Sequence, residues 1–386
     1  MTVRLRTGSA LLATGLLLAA CGSQQPAAKQ ATATPSQTPV TAPVVATYDG
    51  GLYVLDGQSL RLARDIPLAG YNRVNPAGDD RHVLVSTSTG FRVLDAVSST
   101  LKDEFAASKP GHVVRHAGTT VLFADGTGEV TVFDPADLAH GLPKGEVYTS
   151  AAPHHGVAIQ LENGELVVTL GTEEKRLGIL VLGKDRKEIT RNEDCPGVHG
   201  EATAKGEAVV IGCEDGVLVY EDGKISKIDS PDDYGRIGNQ SGTDASAVVL
   251  GDYKTDPDAE LERPTRISLI DTETGTMKLL DLGTSYTFRS LARGPRGEAL
   301  VLGTDGRVHV IDPTAAKVVD TIPVIDPWTE PLEWQQPRPN IFVRDQTVYV
   351  SDPARKRLHS IDLGTRKILG TAALPATPNE LTGTTG

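Results

Sequence analysis

Three short segments of this 386-residue chain, 111–116, 153–158 and 196–202, hold five of its nine histidines. Each segment opens a stretch that is typical of a β-strand. The last two segments share the pattern His-Gly-x-Ala, which aligns His155 with His199, and the same position relative to the strand start selects His112. Imidazole is a ligand for Zn²⁺, Cu²⁺ and Ni²⁺, and three imidazoles suffice for a site with one open coordination position. The pattern therefore predicts a divalent-metal site formed by these three residues.

Other polar residues of the same segments are candidate ligands or supporting groups. His116 comes four positions after His112, so strand alternation places it on the same side but deeper. Glu201 comes two positions after His199 and is a candidate ligand or hydrogen-bond partner. We expect His154 to lie at the rim of the site or behind the ligands. The remaining histidines are interpreted as structural or solvent-exposed: His82, His140, His309 and His359.

Two cysteines, Cys195 and Cys213, lie eighteen positions apart in the body of the chain and flank one strand and turn. Outside the cytoplasm such a pair usually forms a disulfide, which we predict here, with metal–thiolate ligation as the alternative. Neither belongs to a Cys-x-x-Cys pair. The sequence also contains no glycine-rich phosphate loop, no serine nucleophile elbow and no His-Glu-x-x-His helix motif. We therefore do not predict an enzyme.

A repeat of about 44 residues positions these segments. Its most regular part is a β-rich run that ends in an acidic residue or a turn, and it occurs at 53–56, 92–95, 131–134, 180–183, 218–221, 268–271, 309–312 and 359–362. Alternating apolar strands and close turn signals indicate antiparallel sheets, and the spacing is that of four-stranded propeller blades. We predict an all-β fold, a single eight-bladed β-propeller over 43–383, with seven blades as the fallback. A strand from 377–381 would join the first blade and close the ring.

The amino terminus carries an export pattern. Residues 1–20 combine two arginines with a short apolar run and end directly before Cys21, as in a bacterial lipoprotein signal. We therefore expect lipidation (palmitate) at Cys21, a disordered tether over 21–42 and an extracytoplasmic body anchored to the cell membrane. The formal net charge of −12 argues against nucleic-acid binding.

Several of these segments resemble the AztD family of zinc metallochaperones. The resemblance lies in 109–116, 152–158, 195–202, 337–341 and 351–353, and it extends over about 44–381. It implies an exported, non-enzymatic β-propeller that binds zinc and passes it to the solute-binding protein of a zinc ABC importer. By matching positions it assigns zinc to His112, His155 and His199. It is also the main reason to choose zinc over the other metals.

The leading hypothesis is therefore a membrane-tethered, monomeric zinc metallochaperone. One alternative is a metal-free interaction propeller of the cell envelope, in which the histidines are only hydrogen-bonding residues. The other is a zinc-dependent hydrolase with Glu201 as its general base. This last reading lacks a second acid–base pair or a substrate-recognition cluster in the sequence.

Overall fold

A computed structural model describes residues 39–385, in which 32 strands form eight four-stranded antiparallel sheets. The sheets are the blades of a β-propeller, as predicted. The strands of each blade are given from the channel outwards. Blade 1 contains β32 (Leu381–Gly383), β1 (Val44–Tyr48), β2 (Gly51–Leu55) and β3 (Leu62–Pro67), and blade 2 contains β4 (Arg73–Pro76), β5 (His82–Ser86), β6 (Gly90–Asp95) and β7 (Thr100–Ala106). Blade 3 contains β8 (Pro110–His116), β9 (Thr119–Ala124), β10 (Glu129–Phe133) and β11 (Glu146–Thr149), and blade 4 contains β12 (Ala158–Gln160), β13 (Leu166–Gly171), β14 (Arg176–Leu182) and β15 (Glu188–Asn192).

Blades 5 to 8 have the same order. Blade 5 contains β16 (His199–Thr203), β17 (Val209–Gly212), β18 (Gly216–Glu221) and β19 (Lys224–Asp229), and blade 6 contains β20 (Gln240–Ser241), β21 (Val248–Gly251), β22 (Arg266–Asp271) and β23 (Thr276–Asp281). Blade 7 contains β24 (Leu291–Arg293), β25 (Ala299–Leu302), β26 (Arg307–Asp312) and β27 (Lys317–Pro323), and blade 8 contains β28 (Ile341–Arg344), β29 (Thr347–Asp352), β30 (Arg357–Asp362) and β31 (Lys367–Ala373). Within 39–385 the helical elements are two short 3₁₀ helices, Pro135–His140 and Lys205–Glu207. No helix in this part of the chain is long and apolar enough to span a membrane.

The core lies between neighbouring blades. The middle strands are continuous apolar runs because both of their faces are covered: β2 is buried throughout, whereas the outer strand β3 is largely accessible. One hydrophobic cluster extends through blades 3, 4 and 5, from Val114 to Tyr220. The three blades that carry the histidine segments are therefore packed together as one continuous apolar unit.

Blade 1 closes the ring with strands from both ends of the described chain. Strand β1 pairs antiparallel with β32, with Val45 opposite Thr382. The closing strand is Leu381–Gly383, not the predicted 377–381. The two residues before it also contact β1, outside the regular pairing: the Asn379 amide donates to the Thr47 carbonyl, and the Glu380 amide donates to the Thr47 hydroxyl.

The predicted signal 1–20, the lipidation site Cys21 and the tether as far as residue 38 lie outside the described residues. At the start of the described part, Val40 is buried and its amide donates to the Val97 carbonyl. In blade 5 the predicted disulfide joins Cys195 to Cys213. It ties the loop before β16 to the end of β17, next to the strand that begins with His199.

Candidate metal centre

Four antiparallel strands per blade return the chain to the same face each time, so all innermost strands begin at one end of the channel. We call this end the mouth. His112 is the third residue of β8, His155 lies three residues before β12, and His199 is the first residue of β16. These strands are the innermost ones of blades 3, 4 and 5. The blade repeat therefore brings together three histidines that are more than forty residues apart in sequence.

The three imidazoles form a cluster in which one ring nitrogen from each lies within 4.8 Å of the others. Ring centroids are 5.2 Å apart for His112 and His155, 5.3 Å for His112 and His199, and 5.0 Å for His155 and His199. The Nε2 atoms of His155 and His199 are 3.0 Å apart. In a tetrahedral zinc site with Zn–N of about 2.0–2.1 Å, ligand nitrogens are about 3.3 Å apart. The cluster therefore fits a small divalent ion with little rearrangement.

Hydrogen bonds determine which nitrogen two of the three rings, those of His155 and His199, present to the cluster. Nδ1 of His155 donates to Oδ2 of Asp125 at 2.6 Å, and Nδ1 of His199 donates to the Gly238 carbonyl at 2.6 Å. Because both acceptors take the hydrogen on Nδ1, the neutral rings carry lone pairs on Nε2. The two lone pairs then face each other across 3.0 Å, an arrangement that is repulsive unless a cation lies between them.

The carbonyl that orients His199 is itself held in place. Oδ1 of the buried Asp252 accepts the amides of Gly238 at 2.7 Å and Asn239 at 3.0 Å, and Oδ2 accepts from the Asn239 side chain at 3.0 Å. Asp252 therefore fixes the loop before β20, and this loop fixes the tautomer of His199. Such outer contacts orient ligands and increase metal affinity.

Burial keeps the inner imidazoles neutral. Desolvation, followed by the neighbouring His155, lowers the pKa of His199 to about 3. Desolvation, followed by the charges that His199 and His155 would carry, lowers the pKa of His112 well below its ordinary value. Neutral imidazole is the form that binds metal, so these two ligands stay competent in mildly acidic solution. The side chain of His155 is 43% exposed, and it gives the cluster its open side.

Glu201 lies beside the cluster. Its Oε2 is 3.9 Å from Nδ1 of His112, and burial raises the pKa of its carboxyl group to about 8. The carboxyl also lines a polar cavity of about 500 Å³ that continues along the channel. Its position is compatible with a fourth ligand or with a hydrogen-bond partner of His112.

The other two candidate histidines lie apart from this cluster. Nε2 of His116 is 2.6 Å from Oε1 of Glu207, and the ring lines the same cavity, deeper in the channel. His154 is buried, and both of its nitrogens have partners: the Ala152 carbonyl at 2.9 Å and the Thr169 hydroxyl at 3.0 Å. The structure thus brings together His112, His155 and His199, with Glu201 adjacent, whereas His154 fastens the loop behind them.

Sequence reasoning missed the supporting residues Asp125, Gly238 and Asp252. Asp125 belongs to an Asp-Gly turn after β9, a common turn signal with no mark of a special role. Gly238 orients His199 through its backbone carbonyl, and every residue type has such a carbonyl, so the sequence gives no sign of this role. Asp252 stands at the start of a stretch rich in acidic residues, 252–262, whose composition is typical of a solvated loop.

Comparisons with known proteins support the resemblance to AztD. No known family profile matches the sequence. A curated relative, the zinc chaperone AztD of Citrobacter koseri, is 26% identical over 269 residues, which is 67% of this chain but only 62% of the relative. The apo AztD structure from the same species has a TM-score of 0.77 at 21% identity, covering 88% of this chain and 96% of that one. The dihydro-heme d1 dehydrogenase NirN has a TM-score of 0.60 at 14% identity, covering 88% of this chain and 74% of that one.

The two structural matches confirm the fold, at identities where likeness shows the fold alone. A protein named as a zinc chaperone and one named as a dihydro-heme d1 dehydrogenase share it, so the architecture does not specify the chemistry. The function has to be argued from the residues at the mouth.

Proposed function

We propose that this protein is a zinc metallochaperone that carries one Zn²⁺ at the mouth of the propeller, on His112, His155 and His199. The observation that carries the proposal is the pair of Nε2 atoms 3.0 Å apart, each with its Nδ1 committed to an acceptor. The named function of the curated relative supports zinc over copper or nickel.

The open side of the cluster favours a carrier over a structural zinc site. Structural sites are closed by four protein ligands, whereas three imidazoles leave a coordination position for exchange. His155 is exposed, so ligands of another protein can approach the ion from solvent. We further propose that the receiving protein is the solute-binding protein of a zinc ABC importer, and that the carrier itself is monomeric and not an enzyme.

The place of action is part of the same proposal. An extracytoplasmic body tethered through lipidated Cys21 would meet such a binding protein at the membrane surface. The disulfide between Cys195 and Cys213 is compatible with an oxidising compartment. Fatty-acid labelling of the parent chain, absent from a Cys21→Ser variant, tests the anchor.

A chelator-competition titration of the metal-free protein with Zn²⁺ tests the site. We expect one tightly bound ion per chain and a loss of affinity of at least about 100-fold in His199→Ala, because that change removes one ligand of three. The control is His140→Ala, in the 3₁₀ helix Pro135–His140 outside the cluster. The zinc-loaded protein is then mixed with the importer's binding protein in the presence of a chelator. We expect Zn²⁺ to reach the binding protein faster than the chelator takes it up.

Equal zinc binding by the parent and His199→Ala would disprove the site. Weak binding by both would move the protein to the class of metal-free interaction propellers. Tight binding with release only into the chelator would leave the site intact but refute delivery to that partner.

A further inference from the structure

The candidate ligand His199 and the carbonyl that orients it come from different blades. His199 begins β16 of blade 5, whereas Gly238 precedes β20 of blade 6. Their hydrogen bond, 2.6 Å from Nδ1 to the carbonyl oxygen, therefore depends on how firmly two segments of chain are held together. Asp252 holds the Gly238 side from within blade 6. A separate set of contacts joins the two blades at residues 212–214, which we call the corner, and 235–238, which we call the acceptor loop.

The corner is tied covalently to the segment that leads into His199. The disulfide joins Cys213 of the corner to Cys195, four residues before His199, and both cysteines are fully buried. Beside the disulfide, the amide of Glu214 donates to the Pro196 carbonyl at 2.8 Å. The backbone that carries the ligand is therefore fixed relative to the corner.

The same corner holds the acceptor loop. The Cys213 carbonyl accepts the amide of Ile237 at 2.9 Å, and the fully buried Ile237 directly precedes Gly238. The loop also packs closely on the last residue of β17, since a Cβ added at Gly212 would overlap the Ile237 carbonyl oxygen. Cys213 thus contacts both partners of the His199 hydrogen bond, one through its side chain and the other through its backbone.

A partly exposed side chain spans the same junction. Arg236 of the acceptor loop donates to the Gly197 carbonyl at 3.2 Å, two residues before His199, and pairs with Glu214 of the corner at 3.5 Å. Its guanidinium group lies against Gly238, where an added Cβ would be 3.4 Å from Nη2. Arg236 therefore connects the three segments that the disulfide and the corner also connect.

We propose that the Cys195–Cys213 disulfide is a positioning element of the metal centre, which holds Nδ1 of His199 on the Gly238 carbonyl and so presents Nε2 to the ion. This inference rests on the proposed function where it concerns zinc affinity. A buried disulfide ordinarily stabilises a protein by constraining the unfolded chain. Here it also connects a ligand to the support of the ligand's acceptor, so its loss frees the ring to turn as well as destabilising the blade.

The tautomer of His199 in the metal-free protein tests the positioning directly. Long-range ¹H–¹⁵N NMR spectra distinguish a neutral ring with its hydrogen on Nδ1 from one with its hydrogen on Nε2. We expect the Nδ1 form in the parent and a mixture of both forms in Cys195→Ala/Cys213→Ala. The His199 signals are identified by their absence from His199→Ala. The control is Val308→Ala, which removes buried side-chain volume from β26 of blade 7 and lowers stability away from this junction.

Zinc affinity measures the consequence for the carrier. In chelator competition at a temperature where each variant is folded, we expect about tenfold weaker binding by the cysteine double variant and parent-like binding by Val308→Ala. Both cysteines are replaced together because a single free thiol would itself be a zinc ligand. Loss of stability alone predicts no difference between the two folded variants.

Arg236→Gln tests the junction with the disulfide intact. The substitution removes a cation near the metal centre, which by electrostatics alone would strengthen the binding of Zn²⁺. Loss of the bridge between the Gly197 carbonyl and the corner has the opposite sign, and we expect it to prevail, with binding about two- to fivefold weaker than in the parent.

A double-mutant cycle identifies the loop through which the disulfide acts. Asp252→Asn weakens the hold on Gly238 from the other side, so its effect on zinc affinity and that of the cysteine substitutions should be non-additive. Asp125→Asn acts on His155 instead, and its effect should add to theirs.

A parent-like His199 tautomer or a parent-like zinc affinity in the folded cysteine double variant would overturn the inference, as would additive effects with Asp252→Asn. If that variant does not fold, Arg236→Gln decides: weaker zinc binding supports the positioning role, and equal or stronger binding overturns it. The tautomer is measured without metal, so failure of the parent to bind Zn²⁺ would refute the proposed function and not the positioning of His199.

Discussion

At the scale of single residues, the metal centre depends on what lies behind each imidazole. A carboxylate holds His155, a backbone carbonyl holds His199, and neither contact leaves the ring free to turn its Nδ1 towards the ion. A histidine so oriented loses little conformational entropy on binding metal. Residue type identifies the ligands, but these hydrogen-bond partners determine how each ring is oriented and which nitrogen it presents to the ion.

Asp125 should therefore matter although it is not a ligand. We expect Asp125→Asn to lower zinc affinity by about 10- to 100-fold, because an amide is a weaker acceptor for Nδ1 of His155. Asp305→Asn is the matched control: it changes the Asp-Gly turn at the corresponding place in blade 7, where the carboxylate contacts His309 at 3.1 Å. A similar loss of zinc affinity in both variants, measured by chelator competition, would show a general effect of the turn and not a local one.

Glu201 predicts a pH dependence of the metal-free protein. Its pKa is raised to about 8, so the folded state keeps a proton that the unfolded state has already released above pH 4.5. Stability therefore falls as pH rises from 4.5 to 8, and Glu201→Gln removes this slope. We expect the variant to be more stable than the parent at pH 8, by on the order of a few kcal/mol, with a smaller difference towards pH 5.

Denaturant unfolding in chelator between pH 6.5 and 9 measures this slope. The lowered pKa values of His112 and His199 contribute only below pH 6.5, where their sign is opposite. Glu173→Gln is the control, because that carboxyl is exposed, its ion pair with Lys109 lowers its pKa, and it does not titrate in this range. A Glu201→Gln curve parallel to that of the parent would refute the buried-acid assignment.

At the scale of elements, the strand starts were predictable and the contacts across blades were not. The position of a histidine at the start of an innermost strand is readable from the repeat, which is why His112, His155 and His199 could be selected. His154 is adjacent to His155 in sequence but turns away to bond Thr169. Gly238 reaches His199 from the next blade, 39 residues on, and no local pattern reports such a contact.

The closing strand shows the same limit. Residues 377–381 resemble an extended segment, but Glu380 is drawn into the mouth by Arg289 and Tyr71. The paired strand begins at Leu381, opposite Ala46, although the Asn379 and Glu380 amides still donate to Thr47 of β1. The blade count and the closure by both termini were predictable from periodicity, whereas the start of the closing strand was not, because the contacts of Glu380 with Arg289 and Tyr71 join residues that are distant in sequence.

At the scale of the whole molecule, the metal ligands and the strand pairing that closes the ring lie in different blades. The imidazoles occupy blades 3 to 5, and the closing blade, which pairs β32 with β1, lies elsewhere on the ring. Glu380, whose carboxylate pairs with the buried Arg289, directly precedes β32 in the chain. Closure therefore holds Glu380 in place opposite the metal ligands.

Removal of residues 381–386 should therefore affect the stability of the ring more than its zinc affinity. Strand β1 would lose its inner partner, and its buried residues Val44, Val45 and Ala46 would lie beside an unpaired edge. We expect the melting temperature to fall by about 10 °C or more and the protein to associate through that edge, whereas zinc affinity of the folded fraction should change much less. Removal of Gly386 alone is the control. Thermal unfolding, size-exclusion chromatography and chelator competition on both chains measure the three effects, and an unchanged melting temperature would mean that the ring does not depend on β32 for closure.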